Sequence, residues 1–122
     1  MVLYFYPAAF TKGCTLEAHE FAEATADFAK LGATVVGMSA DKIETLNTFS
    51  REACRDKFAV GSATPGLIKA YDVKLPVVRY SNRTSYVIAP NGRVIYAYSA
   101  MAAKGHAENT MAAVRKWRAA QR

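Results

Sequence analysis

The feature that most constrains the fold is a strand, helix and strand pattern within residues 2–39. Residues 2–6 form an apolar run typical of a buried strand, and Pro7 ends it because proline cannot donate a hydrogen bond to a sheet. Residues 15–31 are predicted to form a helix with one apolar stripe, made by Phe21, Ala24, Phe28 and Leu31. Residues 33–39 predict a second buried strand. Such a unit favours two parallel strands joined by a right-handed crossover.

A second helix is predicted after this unit. Gly32 is suited to end the first helix in the left-handed conformation. Asp41, with Glu44 three residues later, has the spacing of a capping box, so a helix is expected from there to about residue 55. The residues expected to form its buried face are Ile43, Leu46, Phe49 and Ala53.

The rest of the chain predicts a hairpin and further helices. Thr64 before Pro65 is typical of a helix N-cap followed by proline at the first helical position, and Asn91-Gly92 is a hairpin turn signal. The expected elements are a short strand at 58–60, a helix at 66–71, an irregular segment at 73–82, strands at 83–89 and 93–98, and a helix at 108–118 with Met111, Val114 and Trp117 turned inward. The chain therefore reads as one α/β domain over residues 1–122.

Charge divides the chain into unequal halves. Residues 1–61 carry six Lys or Arg and eight Asp or Glu, whereas residues 62–122 carry ten and two. A basic half can bind nucleic acid, and the candidate residues would be Arg115, Lys116, Trp117, Arg118 and Arg122. A solvated basic face explains the same charges, and we expect no nucleic-acid partner. No apolar run is long enough to span a membrane, so no membrane partner is expected either.

Cys14 is the residue whose position in the sequence most strongly indicates a reactive side chain. It lies at or just before the start of the first predicted helix, where free backbone N–H groups and the helix dipole favour an anion. The thiolate is the nucleophilic form of cysteine, so this placement predicts a reactive thiol. Thr11, on the same loop, can direct its hydroxyl at whatever the sulfur attacks.

Pro7, Thr11 and Cys14 together match the Pro-x-x-x-Thr-x-x-Cys signature, and the chain resembles the peroxiredoxins. The following Thr15-Leu16-Glu17 resembles the branch of the bacterioferritin comigratory protein, also called the PrxQ type. This resemblance runs from residue 2 to about residue 117. It implies a thioredoxin-like fold with a central mixed sheet flanked by helices. It also implies a thiol-dependent peroxidase, without metal, haem or flavin, that reduces H2O2 and organic hydroperoxides in the cytoplasm.

The resemblance also implies roles for individual residues. Cys14 would be the peroxidatic nucleophile, oxidised to sulfenic acid, with Thr11 positioning the peroxide and Pro7 shaping the pocket. Arg83 corresponds to the arginine that the family places over its cysteine, although without the resemblance Arg79 and Arg93 are equal candidates. Glu17 would either orient that arginine or cap the first helical turn, and the sequence leaves both open.

Recycling would need a second thiol. Many relatives carry a resolving cysteine five residues after the first, where this chain has His19, which the helical wheel places on the exposed side. Cys54 is the remaining cysteine. It is expected to resolve Cys14 by forming an intramolecular disulfide that thioredoxin or a similar thiol reduces. The alternative is a packed core cysteine, in which case the enzyme would depend on an external thiol.

Three further expectations depend on what the chain lacks. Relatives have an N-terminal hairpin before the strand at 2–6. The branch is expected to be monomeric, but absence of the hairpin would uncover a sheet edge and favour association or an inactive, regulatory thioredoxin-like module. A metal site is not expected because Cys14, His19, Cys54 and His106 do not have zinc-site spacing. His106 is expected only to cap or pack against the last helix.

Overall fold

A central sheet of five strands organises the protein. The computed structural model describes residues 1–52, 57–71, 73 and 81–120. The strands are β1 (Val2–Phe5), β2 (Val35–Ser39), β3 (Ala59–Ser62), β4 (Thr84–Ile88) and β5 (Val94–Ser99). They lie in the order β3-β2-β1-β4-β5. The three strands β1, β2 and β3 are parallel, and β4 and β5 are antiparallel to their neighbours, so the sheet is mixed as expected.

Helices cover both faces of the sheet. They are α1 (Lys12–Lys30), α2 (Ile43–Glu52), α3 (Pro65–Ala70) and α4 (His106–Ala120). Successive side chains of β1 point to opposite faces. Tyr4 therefore packs in a core with residues of α1, α2 and α4, while Phe5 packs with Ile68 of α3. Because β1 is buried on both faces, its sequence reads as an unbroken apolar run.

Several predicted features are confirmed. The parallel strand-helix-strand unit is present, and Gly32 ends α1 with φ of +75°. Thr64 caps α3, because its hydroxyl accepts from the Leu67 N–H at 3.1 Å. The hairpin of β4 and β5 follows the Asn91-Gly92 signal, with strand bounds one residue from those expected.

Two helices begin two or three residues earlier than predicted. Helix α1 starts at Lys12 because Thr11 is the extended N-cap residue, and the Thr15 N–H already bonds to the Thr11 carbonyl at 2.9 Å. Helix α4 starts at His106, since Gly105 adopts φ of +99° and its carbonyl accepts from the Asn109 N–H. As a result, both Cys14 and His106 lie inside helices rather than in the preceding loops.

Two predictions for α2 are wrong. Ile43 is 48% exposed, because it is the first residue of the helix and lies outside the buried face formed by Leu46 and Phe49. Asp41 does not cap this helix, since its carboxylate bonds instead to the loop before α1, as described below. Ala53, Cys54, Arg79 and most of the predicted irregular segment lie outside the described residues.

The edges of the sheet are β3 and β5, and β1 lies at its centre. The expected association through an uncovered edge therefore concerns these two strands, and it stays a prediction. Within the described residues, no helix is both long and apolar enough to cross a membrane.

Candidate active site

Cys14 is the third residue of α1, in the turn where backbone N–H groups lack helical acceptors. The chain leaves β1 at the centre of the sheet, passes through Pro7 and enters α1 five residues later, at Lys12. This path directs the thiol inward: Cys14 is only 1% exposed.

Arg83 reaches Cys14 because of the sheet order. It directly precedes β4, which runs antiparallel to β1, with Thr84 opposite Phe5. The residue before β4 therefore lies beside the end of β1, where the chain turns into α1. Of the two described arginines that the sequence leaves equal, only Arg83 is at this end; Arg93 lies in the exposed hairpin turn.

Three nitrogen atoms of the Arg83 guanidinium are held by three different groups. Nε donates to the Met101 carbonyl at 2.8 Å, Nη1 donates to Glu17 Oε1 at 2.7 Å, and Nη2 donates to Cys14 Sγ at 3.4 Å. Burial works to lower the pKa of Arg83, but the acceptors on Glu17 and Cys14 raise it overall, so the group stays charged. A fixed cation thus faces the sulfur.

Glu17 lies one helical turn after Cys14 and is fully buried. Its Oε1 atom accepts the hydrogen bond from Arg83, so the structure favours orientation of the arginine over capping of the helix. Burial raises the pKa of the Glu17 carboxyl to about 8, with a further contribution from Glu20, although the charge of Arg83 opposes this shift. A carboxyl with this pKa is neutral over much of the physiological range.

His106 is the site residue that the sequence does not identify. It opens α4, is fully buried, and lies with Nδ1 at 2.7 Å from Ser85 Oγ and Nε2 at 2.8 Å from the Ala100 carbonyl. Nδ1 is also 3.5 Å from Glu17 Oε2. Cys14, Arg83, Glu17 and His106 are therefore consecutive neighbours in the site. Burial lowers the pKa of His106. No local pattern joins it to residue 17, because the two are far apart in sequence.

The loop between β1 and α1 carries Pro7 and Thr11. Pro7 is half-buried, and its part in shaping the pocket stays a prediction. Thr11 is exposed and its hydroxyl donates to the Ala8 carbonyl at 2.7 Å, so its contact with sulfur or peroxide stays a prediction. Phe10, between them, has φ of +64°, a conformation that non-glycine residues rarely adopt, and its ring packs edge-on against Phe49.

Asp41 holds this loop in place. Its Oδ2 atom accepts from the Ala9 N–H at 2.7 Å and from the Ser39 hydroxyl at 2.6 Å. The carboxylate thereby links the end of β2 to the loop that precedes Cys14. The sequence predicts Asp41 to be a helix N-cap. The tertiary structure shows instead that its carboxylate accepts a hydrogen bond from the loop before α1.

Removing this carboxylate is expected to loosen the loop. Asp41→Ala leaves the Ala9 N–H and the Ser39 hydroxyl without their acceptor, which should lower the free energy of unfolding by about 1–3 kcal/mol. Urea unfolding measures the loss, with Asp27→Ala as the matched control, since Asp27 is exposed and its contact to Lys30 is 3.9 Å. Asp41→Asn, which keeps one carbonyl oxygen, should recover part of the loss. Equal destabilisation by the two alanine variants would contradict the role.

Two other features lie apart from the thiol. A groove of about 490 Å³ runs between β5 and α4, and Ile95, Asn109 and Trp117 are among its lining residues, which include none of the predicted site residues. Arg115, Lys116 and Arg118 are exposed on α4. Within the described ranges, no group of three His, Cys, Asp or Glu is arranged to hold a metal ion.

The sequence and the fold match proteins of known family. The sequence profile of the AhpC/TSA family matches residues 1–97. The Peroxiredoxin Bcp of Xanthomonas campestris is 30% identical over 124 residues, covering 94% of this chain and 76% of the relative. The crystal structure of the peroxidoxin BcpB of Mycobacterium tuberculosis superposes with a TM-score of 0.84 at 32% identity, covering 94% of this chain and 77% of the other.

A second structural match is the bacterioferritin comigratory protein of Xanthomonas campestris, with a TM-score of 0.82 and 28% identity, covering 94% of this chain and 76% of the other. That protein has alkyl peroxide reduction activity. The chain therefore belongs to the AhpC/TSA family. Within the family it is a peroxiredoxin of the bacterioferritin comigratory protein, or PrxQ, type, and thus a thiol-dependent peroxidase with a thioredoxin-like fold.

Proposed function

We propose that Cys14 is the peroxidatic residue of this thiol peroxidase. Its thiolate attacks the terminal oxygen of a hydroperoxide, the O–O bond breaks, and the leaving oxygen takes a proton and departs as water or an alcohol. The sulfur gains one oxygen and becomes sulfenic acid. The observation that carries the proposal is the Arg83 Nη2 atom at 3.4 Å from a buried sulfur in the first turn of a helix.

Arg83 supplies the electrostatic part of the mechanism. Negative charge spreads from sulfur to both peroxide oxygens as the bond forms. A cation already fixed by Met101 and Glu17 stabilises that charge without reorganising. Thr11 would hold the peroxide in line with the sulfur, and Pro7 would keep water out of the pocket. Both roles rest on the family motif and on the position of the loop.

The proposed substrates are H2O2 and organic hydroperoxides. Three exposed apolar side chains lie on the segments that form the site, namely Phe10, Leu16 and Met101. Such side chains favour contact with the alkyl part of an organic hydroperoxide. The alkyl peroxide reduction activity of the Xanthomonas campestris protein supports the same substrate class.

For recycling, we propose Cys54 as the resolving residue on the basis of the family resemblance. Its thiol would attack the sulfenic sulfur of Cys14, water would leave, and an intramolecular disulfide would form. Two Cα atoms must come within roughly 7 Å for that bond. Unless the two sites already meet, either the first turn of α1, where the sulfur of Cys14 is buried, or the helix end near Cys54 would have to open. Thioredoxin or a similar thiol would then reduce the disulfide by exchange, in a cytoplasmic monomer.

Intact mass after one equivalent of H2O2, without reductant, tests these steps. Wild type should lose two hydrogens as the disulfide forms, Cys54→Ser should gain one oxygen, and Cys14→Ser should not change rapidly. Oxygen gain in both wild type and Cys54→Ser would mean that an external thiol resolves Cys14. No rapid change in wild type, or equally fast oxidation of Cys14→Ser, would overturn the peroxidatic role.

A further inference from the structure

One oxygen of Glu17 has no hydrogen-bond partner in the part of the chain that the structure describes. Oε1 accepts from Arg83, whereas Oε2 is buried and bonds to no donor among the described residues. A buried acceptor left in this state costs free energy, and a charged carboxylate would cost more. The atom that faces Oε2 is Nδ1 of His106, at 3.5 Å.

The surroundings of His106 fix its tautomer. The Ala100 carbonyl can only accept a hydrogen bond, so Nε2, at 2.8 Å, must carry a proton. If the imidazole is neutral, Nδ1 then has a single lone pair, which can accept either from the Ser85 hydroxyl at 2.7 Å or from a proton on Glu17 Oε2 at 3.5 Å. An ionised Glu17 would place a second acceptor against this lone pair. A proton on Oε2 removes that conflict.

We propose that Glu17 keeps a proton on Oε2 in the reduced protein at neutral pH, directed at Nδ1 of a neutral His106. Glu17 is then a carboxylic acid whose Oε1 still accepts from Arg83. His106, which touches neither sulfur nor substrate, is a positioning residue that acts through Glu17 and Arg83. Its effect on peroxide reduction rests on the proposed role of Cys14, whereas the protonation state does not.

Charge balance shows what this proton does. With a neutral Glu17, the charge of Arg83 is balanced by the Cys14 thiolate alone. Ionisation of Glu17 would leave two anions sharing one buried cation, which weakens the field that stabilises the thiolate and the transition state. The rate of Cys14 oxidation should therefore fall as Glu17 loses its proton.

The titratable and charged groups around His106 agree with this assignment. Glu17 faces it from α1, and the charge of Arg83 acts on it from the residue before β4. The Tyr98 ring of β5 lies edge-on to the imidazole, with 4.8 Å between the ring centroids. Burial raises the pKa of Glu17 to about 8 and lowers the pKa of His106. Both shifts favour the neutral forms of the pair.

Nitrogen NMR of the reduced wild-type protein, labelled with ¹⁵N-histidine, tests the protonation state without peroxide. The chain has two histidines, and the exposed His19 serves as an internal reference. We expect His106 at neutral pH to show a protonated Nε2 and an unprotonated Nδ1, with Nδ1 shifting as Glu17 ionises near pH 8. Glu17→Gln should abolish that shift, since its amide N–H replaces the acid proton. An imidazolium at neutral pH would overturn the proposal.

The pH profile of the rate constant for oxidation by H2O2 tests the positioning role. Wild type should decline above about pH 8, approaching tenfold per pH unit. The decline should vanish in Glu17→Gln. It should begin at lower pH in His106→Gln, whose amide can donate to the Ala100 carbonyl but cannot accept the Glu17 proton at Nδ1. His19→Gln, the matched control, should keep the wild-type profile.

The outcomes separate this inference from the peroxidase proposal. If Cys14 does not react with peroxide, the NMR result still decides where the proton is. If the enzyme is active but the alkaline decline is unchanged in Glu17→Gln, the positioning role is overturned. Glu17→Gln is nearly isosteric, so the test holds even if His106→Gln fails to fold.

Discussion

Replacing Arg83 by methionine is expected to slow oxidation of Cys14 by H2O2 by about 10²–10³-fold. Methionine keeps much of the side-chain volume but removes the only described cation within hydrogen-bond reach of the sulfur, where Nη2 now lies at 3.4 Å. The loss should appear in the rate constant for a single oxidation, measured by stopped flow with stoichiometric peroxide. The later reduction of the oxidised enzyme does not enter that measurement.

Lysine at the same position separates charge from geometry. Arg83→Lys retains a cation, but one ammonium cannot bond at once to the Met101 carbonyl, Glu17 and the sulfur. The rate should therefore remain at least about tenfold below wild type. Arg93→Met is the matched control, because the sequence alone makes Arg93 an equal candidate and the structure places it in an exposed turn. Equal rates for Arg83→Met and Arg93→Met would contradict the assignment.

The contrast between these two arginines shows how far the sequence can predict the site. Local patterns predict the first strand, helix and strand, the hairpin and the Thr64 cap, because each depends on residues close together in the chain. The choice of Arg83 depends on β4 lying beside β1, a pairing of distant segments that no local pattern contains. The family resemblance supplies that choice, and the structure gives its physical reason.

The contacts of Asp41 and His106 are predicted neither by the local sequence patterns nor by the family resemblance. Asp41 has the local features of a helix cap, but the Ala9 N–H, 32 residues away, uses its carboxylate instead. His106 follows a glycine at the start of a helix, which by itself indicates capping or packing. Its relation to Glu17 arises only when α4 folds against α1. Tertiary contacts of this kind decide the electrostatics of a buried site, and sequence spacing does not encode them.

The second large effect is a loss of stability, caused by Glu17, as the pH rises toward about 8. The pKa of this carboxyl is about 8 in the folded protein, compared with 4.5 for the unperturbed group. Between these values the folded state holds a proton that the unfolded state has released, so the free energy of unfolding falls as pH rises. The slope is about 1.4 kcal/mol per pH unit, or on the order of 3 kcal/mol between about pH 6 and pH 8. Urea unfolding of wild type and Glu17→Gln at a series of pH values measures it as a difference.

His106 gives the two stability curves different shapes. Its pKa is lowered from 6.5 by burial, so below that pH the unfolded state gains a proton that the folded state lacks, and stability falls on acidification. In wild type this loss opposes the gain from Glu17, so the curve should be flatter below pH 6.5 than between pH 6.5 and about pH 8, where stability declines. Glu17→Gln should instead rise to pH 6.5 and then level off. Parallel curves would mean that Glu17 ionises over the same pH range in the folded and unfolded states, which would overturn the neutral carboxyl.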